Sequence, residues 1–184
     1  MRRKDRQMDE AFALSVIDKS EFGVLGICKD SVYTMPLSIV RDGKTLYFHS
    51  APEGRKIEML ADGSEVSVSF ISRVNVPSVL TREEILQKIE AKKFAEIGSK
   101  VFTTEFESAH VEGKVFQVKD EGEMVKALML IAKKYTPELA DLAEEFIKNS
   151  LPRTKVYKIL IDEIKGKRKK FDEFGEEMKF GRMK

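Results

Sequence analysis

The 184-residue chain has one cysteine, Cys28, and two histidines, His49 and His110. A single thiol excludes an internal disulfide and a multi-thiolate zinc site, and two imidazoles argue against a histidine-rich metal centre, so no metal is expected. No apolar run approaches the ~20 residues that a membrane-crossing helix needs. The basic start, Met1-Arg2-Arg3-Lys4-Asp5-Arg6, meets Asp9 and Glu10 instead of a signal-peptide core, and the expectation is a soluble, cytoplasmic protein with no membrane partner. Neither Gly-x-x-x-x-Gly-Lys-Ser/Thr nor Gly-x-Gly-x-x-Gly occurs, which leaves a P-loop or a Rossmann turn without support. Excess charge of one sign is missing too. The 33 Lys+Arg against 31 Asp+Glu leave a net +2, too near neutral for the basic footprint of a non-specific nucleic-acid binder. There is no internal repeat or low-complexity segment, and 42% hydrophobic with 35% charged residues fits a single folded domain over 1–184.

What is present reads mainly as β. Asp9 caps a short helix carrying Phe12, Val16 and Ile17 on one face. Phe22 to Cys28, Val32 to Val40 and Lys44 to Ser50 are strand segments separated by the turns Lys29-Asp30-Ser31 and Arg41-Asp42-Gly43, which predicts a three-strand meander. A helix is expected from Gly54 to Ala61 with Ile57, Leu60 and Ala61 inward. Glu65 to Ser72 alternates as a strand with Val66, Val68 and Phe70 on one side. Residues 73 to 80 read as a loop. Thr81-Arg82-Glu83-Glu84 has the form of a capping box and opens a helix to about Ile97, so 73–100 is a helical insertion. Val101 to Phe106 and Ala109 to Val118 are two strand segments or one bent pair, with Gly113 as a candidate bulge. Glu121 to Tyr135 is a helix, and Thr136-Pro137 starts another that buries Leu139, Leu142, Ala143 and Phe146. A last strand, Thr154 to Ile161, precedes a basic tail over 165–184. Regular βαβ alternation is missing, so the expected fold is an antiparallel split barrel of six to seven strands with peripheral helices.

The chemistry concentrates in Tyr47-Phe48-His49-Ser50-Ala51-Pro52-Glu53-Gly54-Arg55-Lys56. A strand running through a turn into a helix presents free backbone N–H groups, two cations at Arg55 and Lys56, and the Ser50 hydroxyl, the donors a phosphate needs. His49 would lie beside whatever carries that phosphate. The same spacing also fits the solvated face of a short helix. Cys28 reads as a small buried hydrophobe and His110 as a structural residue without a second ligand. The tail run Lys165-Gly166-Lys167-Arg168-Lys169-Lys170 is followed at once by acids and reads as solvated, so no nucleic-acid partner is expected.

The arrangement resembles the FMN-binding split barrel of the pyridoxamine 5'-phosphate oxidase-like superfamily, and within it the Nim-type, 5-nitroimidazole-resistance branch. The basic leader, Met35-Pro36-Leu37-Ser38-Ile39, the segment 46–56, Phe106-Glu107-Ser108 to Gly113-Lys114, and Ile164-Lys165-Gly166-Lys167-Arg168 carry the likeness. It implies FMN as cofactor, held at a homodimer interface, with Ser50, Arg55 and Lys56 on the phosphate and His49 next to the flavin as the catalytic candidate. Pro36, Leu37, Ser38, Ser69 and Phe70 would face the ring, and Lys114 and Lys167 would assist. Thr34-Met35 stand where true pyridoxamine phosphate oxidases carry an arginine, so oxidation of vitamin B6 is not expected. The resemblance implies an oxidoreductase that reduces a small acceptor such as a nitroaromatic with a small-molecule electron donor. The alternative is a flavin-binding carrier or sensor without turnover of its own.

Overall fold

The carboxylate of Asp9 accepts a hydrogen bond from the Phe12 amide at 2.8 Å, so α1 (Glu10–Lys19) begins where the sequence predicts and turns Ala13, Val16 and Ile17 into the core. The computed structural model describes residues 2–98 and 100–183; Met1, Ser99 and Lys184, which fall in the leader, the insertion and the tail, lie outside the described residues. Just before α1, β1 (Gln7–Met8) pairs with the far end of the last strand. Then β2 (Gly23–Cys28) and β3 (Val32–Leu37) form a hairpin, and β4 (Val40–Asp42) forms a second one with β5 (Thr45–Ser50). The remaining strands are long: β6 (Ser64–Asn75), β7 (Glu105–Gln117) and β8 (Lys155–Lys169).

All pairings are antiparallel, in the order β3-β2-β6-β7-β8-β5-β4. The two edge strands, β3 and β4, are joined only through Ser38 and Ile39, and so short a link forces the sheet to roll up. This is the split barrel expected, with eight strands where six or seven were predicted, because β1 and β4 are too short to show an alternation. The core within it holds Leu25, Ile39, Leu46, Phe48, Val68, Phe70 and Val111. A second cluster joins Val40, Tyr47 and Val156 to helix α5 (Glu121–Tyr135), which Asp120 caps.

The predicted meander does not form. The segment 32–40 breaks at Ser38-Ile39 and its halves lie at opposite edges of the sheet. The Ile39 amide donates to the Tyr135 hydroxyl, that hydroxyl and the Lys134 ammonium donate to the Ile39 carbonyl, and the side chain is fully buried. Both groups needed to continue a ladder are thus taken by α5. Pro36, which cannot donate, sits on the edge strand, where proline is tolerated.

Four other expectations shift. The helix expected over 54–61 is a short one, α2 (Arg55–Met59), with Met59 and the following Leu60 buried, while Ala61, expected inward, lies past its end and is exposed. Strand β6 runs through 73–75, and the capping box of Thr81 opens α3 (Arg82–Glu90), which stops before a separate α4 (Phe94–Gly98). After Pro137 comes a single 3-10 turn, so α6 (Ala143–Ser150) starts later with a rotated face; Ile147 is buried, while Leu139, Leu142 and Phe146 are 58%, 68% and 75% exposed. Residues 101–118 yield one strand, β7, whose register shifts at Gly113, and β8 passes Ile161 to take Lys165 to Lys169 of the expected tail into the sheet.

Candidate functional site

β5 ends in His49 and Ser50, registered against Val156 and Lys155 of β8. The turn that follows closes at Gly54, whose φ of 117° favours glycine, and delivers Arg55 and Lys56 at the start of α2. The Arg55 guanidinium lies 4.8 Å from the Tyr33 ring centroid and 3.3 Å from the Ser31 hydroxyl. These contacts tie α2 to the β2–β3 hairpin and hold the cation over β3. Burial pushes the Lys56 ammonium below its ordinary value, and burial together with the Lys56 charge pulls the His49 imidazole below its own. Among the described residues no carboxylate offsets either shift. The exposed donors therefore suit an anion: Arg55, Lys56 and His49 bring cationic and hydrogen-bonding groups, Arg55 and Lys56 have no ion pair among the described residues, and the buried Ser50 lies on the opposite side of β5 from the exposed His49.

A second group lies farther along the same strand. From Tyr33 to Leu37 is four residues of β3, about 13 Å. Pro36 points outward, Leu37 packs on the core, and Ser38 stands in the chain break beside Ile39. Pro36 is registered with Val24, Val24 with Ser69, and Ser69 with His110, so these four share the outer face of the sheet. The Ser69 hydroxyl is 3.2 Å from His110 Nδ1, and His110 Nε2 is 3.6 Å from a Glu112 carboxylate oxygen.

The structure thus sets His49 beside Lys56 and Arg55 over Tyr33, leaves Ser50 buried on the other side of β5, aligns Pro36 with Ser69 on the outer face, and places Ser38 just past the end of β3. Four called residues stand apart from these, and the first, Leu37, expected to face the ring, packs on the core instead. Phe70, expected to face the ring, is 1% exposed with its side chain in the core and its backbone between β2 and β7. Lys114 is registered with Glu65 and Leu160, and Lys167 with Ser108 and Gln7; neither faces His49 or Ser50. Cys28, expected inside, is exposed at the end of β2. Sequence reasoning missed Ser31 and Tyr33 as the seat of Arg55, and the Ser69–His110–Glu112 chain. Both the Arg55–Tyr33 contact and the cross-strand pair Ser69–His110 depend on how distant segments are brought together, which no local signal marks. Among the described residues no cluster of side chains has a metal-binding arrangement.

A curled antiparallel barrel with a cationic, anion-ready corner at one end of an edge strand defines a class that comparison makes specific. The sequence model of pyridoxamine 5'-phosphate oxidase matches residues 9–168, and the chain belongs to that family. No curated protein sequence matches it. Among solved structures, a candidate 5-nitroimidazole antibiotic resistance protein from Bacteroides thetaiotaomicron aligns with a TM-score of 0.64 at 24% identity, covering 88% of this chain and 86% of that one. The FAD and heme binding protein from Mycobacterium smegmatis gives 0.66 at 16%, covering 89% and 73%. The FAD binding protein from the same organism gives 0.59 at 14%, covering 90% and 99%. At these identities the likeness is one of fold.

Proposed function

We propose that the chain binds FMN in a cleft shared by two copies and transfers electrons from a small reduced donor to a small acceptor such as a nitroaromatic. One observation carries this reading: Arg55, followed at once by Lys56, is seated on Tyr33 at one end of β3, and the outward Pro36 and the break at Ser38 stand about 13 Å away at the other. A phosphate at the first group and an aromatic ring at the second use both ends of the strand, and a single phosphate suffices, which favours FMN over the FAD of the Mycobacterium smegmatis proteins. The second copy covers the outer face, where Val24, Val32 and Ile71 are exposed beside Pro36 and Ser69. Apolar area of this kind marks an interaction surface.

A bound flavin supplies the hydride and electron chemistry. The chain does the rest. Arg55 and Lys56 neutralise the phosphate, Ser50 and His49 donate hydrogen bonds, and β3 sets the distance from phosphate to ring. His49 belongs to the phosphate end, and its place beside Lys56 makes it an anion ligand ahead of a proton donor.

The purified protein should be yellow or should turn yellow when FMN is added, and FMN should bind more tightly than FAD. Replacing Arg55 and Lys56 together by Ala should remove charge-assisted contacts worth about 1.5–3 kcal/mol each and weaken FMN binding by at least about a hundredfold, with the circular dichroism spectrum unchanged. A colourless chain that takes up no flavin refutes the proposal. Oxidation of a reduced nicotinamide in the presence of a nitro compound then tests for turnover.

A further inference from the structure

The 30-residue-scale excursion between β6 and β7 leaves the sheet at Asn75 and returns at Glu105, the end of the barrel near Ile71. Its two helices pack on each other, and α3 makes no comparable contact with any strand. A nine-residue helix is marginal without a packed face. Yet Leu86, Ile89 and Phe94 of this arm are exposed. Its tip is built firmly. Lys92 holds a left-handed φ of 55°, the Lys93 amide donates to the Lys88 carbonyl at 2.8 Å, and the Lys88 ammonium donates to Glu96 at 2.6 Å. The result presents Lys92, Lys93 and Phe94 together to the outside, two cations beside an aromatic ring; Lys93 lies 3.9 Å from Glu96 of α4, and Lys92 has no ion pair among the described residues.

The complementary surface is on the same chain but out of reach. An open groove of about 550 Å³ on the outer face is lined by Glu65, Glu112, Asp162 and Glu163 around Cys28 and the apolar Val32. His110 lies near Glu112 and Lys165 pairs with Glu163, while Glu65 and Asp162 have no ion pair among the described residues. The groove sits at Ser67 of β6, and the arm is rooted eight residues on at Asn75, about 26 Å along the strand. A second copy laid face to face with its strands reversed brings its own arm to this end, and two-fold symmetry makes the contact twice.

We infer that the α3–α4 arm of one copy docks its Lys92-Lys93-Phe94 tip into the acidic groove of the other, clasping the dimer. The inference rests on the two-copy reading above. Opposite charges fix the register of the contact and Phe94 supplies apolar burial against Val32.

The only native cysteine, Cys28, lies in the groove and serves as the reporter. Phe94→Cys treated with a short bis-maleimide should give a covalent dimer on a denaturing gel, and the added Cys28→Ser change should abolish it. Lys92→Glu with Lys93→Glu should raise the dimer dissociation constant in sedimentation by about tenfold or more, and Glu112→Lys with Glu163→Lys added to that chain should recover much of the loss. A protein that sediments as a dimer, yet forms no Cys28-dependent cross-link and is indifferent to charge reversal, overturns the clasp while leaving the dimer intact. A monomer at all concentrations overturns the two-copy reading and the clasp with it, and FMN uptake, measured on the same samples, tells independently whether the phosphate group stands.

Discussion

His49 and Lys56 both carry protons less readily than their types ordinarily do, because each is crowded by protein and Lys56 repels a charge on His49. A bound phosphate reverses that, raising both values, so binding takes up protons. The sign follows from linkage: FMN affinity should climb as pH falls into the range where free His49 is neutral and bound His49 is charged, and should decline on the alkaline side as Lys56 loses its proton. Fluorescence titrations of FMN between about pH 5 and about pH 10 check this, and His49→Gln should flatten the acidic limb alone. Tyr47 behaves oppositely. Burial, reinforced by the Glu123 carboxylate that accepts its proton at 2.9 Å, pushes the phenol up to about 12. A raised value means the fold favours the neutral phenol. This contribution is complete below the unfolded tyrosine value near 10 and disappears as pH rises through about 12. Absorbance near 295 nm should show Tyr47 titrating late together with Tyr135 and Tyr157, which burial also raises, and Tyr47→Phe should remove its share of that signal. Glu123→Ala should bring that titration earlier and destabilise by about 1–3 kcal/mol, since Lys158, 2.9 Å from the same carboxylate, also loses its partner.

At the scale of elements, short signals were readable. Asp9, Thr81 and Asp120 each precede a helix and each cap it, and the sequence pointed to the first two as caps. Gly113 was readable as a bulge, and the reason is now physical. A Cβ there would fall inside the contact shell of the Leu160 carbonyl oxygen on β8, at the position where the β7–β8 register shifts. Backbone cannot yield as a side chain can. Gly113→Ala should therefore cost about 3 kcal/mol, or roughly 6–12 °C in Tm, a large effect for one methyl group. A melting curve unchanged within a degree or two would show that the two strands can separate locally. The phase of α6 was not readable, because Pro137 begins a 3-10 turn whose length the sequence does not mark, and a few residues of delay rotate Leu142 and Phe146 from the core to the surface. The break in α3–α4 was likewise hidden, since a lysine, not a glycine, takes the left-handed position.

For the whole molecule, a flavin held between two copies would bind the native dimer and not the unfolded chain, so FMN should raise Tm in proportion to the logarithm of its concentration. An excess of about a hundredfold over the dissociation constant adds about 2.7 kcal/mol per site. Thermal melts with FMN, FAD and riboflavin rank the phosphate's part in this, and equal shifts by riboflavin and FMN would remove Arg55 and Lys56 from the binding account. The sequence by itself determined the β-rich class, the caps at Asp9 and Thr81, and the ten residues that hold His49, Ser50, Arg55 and Lys56, because alternation, capping and a glycine-led cationic turn are properties of neighbours in the chain. Tertiary structure decided which strands pair and what meets across them. Tyr135 reaches Ile39 from 96 residues away and stops β3, and His110 meets Ser69 across 41. A strand's apolar face is written locally, but its partner is chosen by the burial and hydrogen bonds of the assembled sheet, and those energies exist only once distant segments are together.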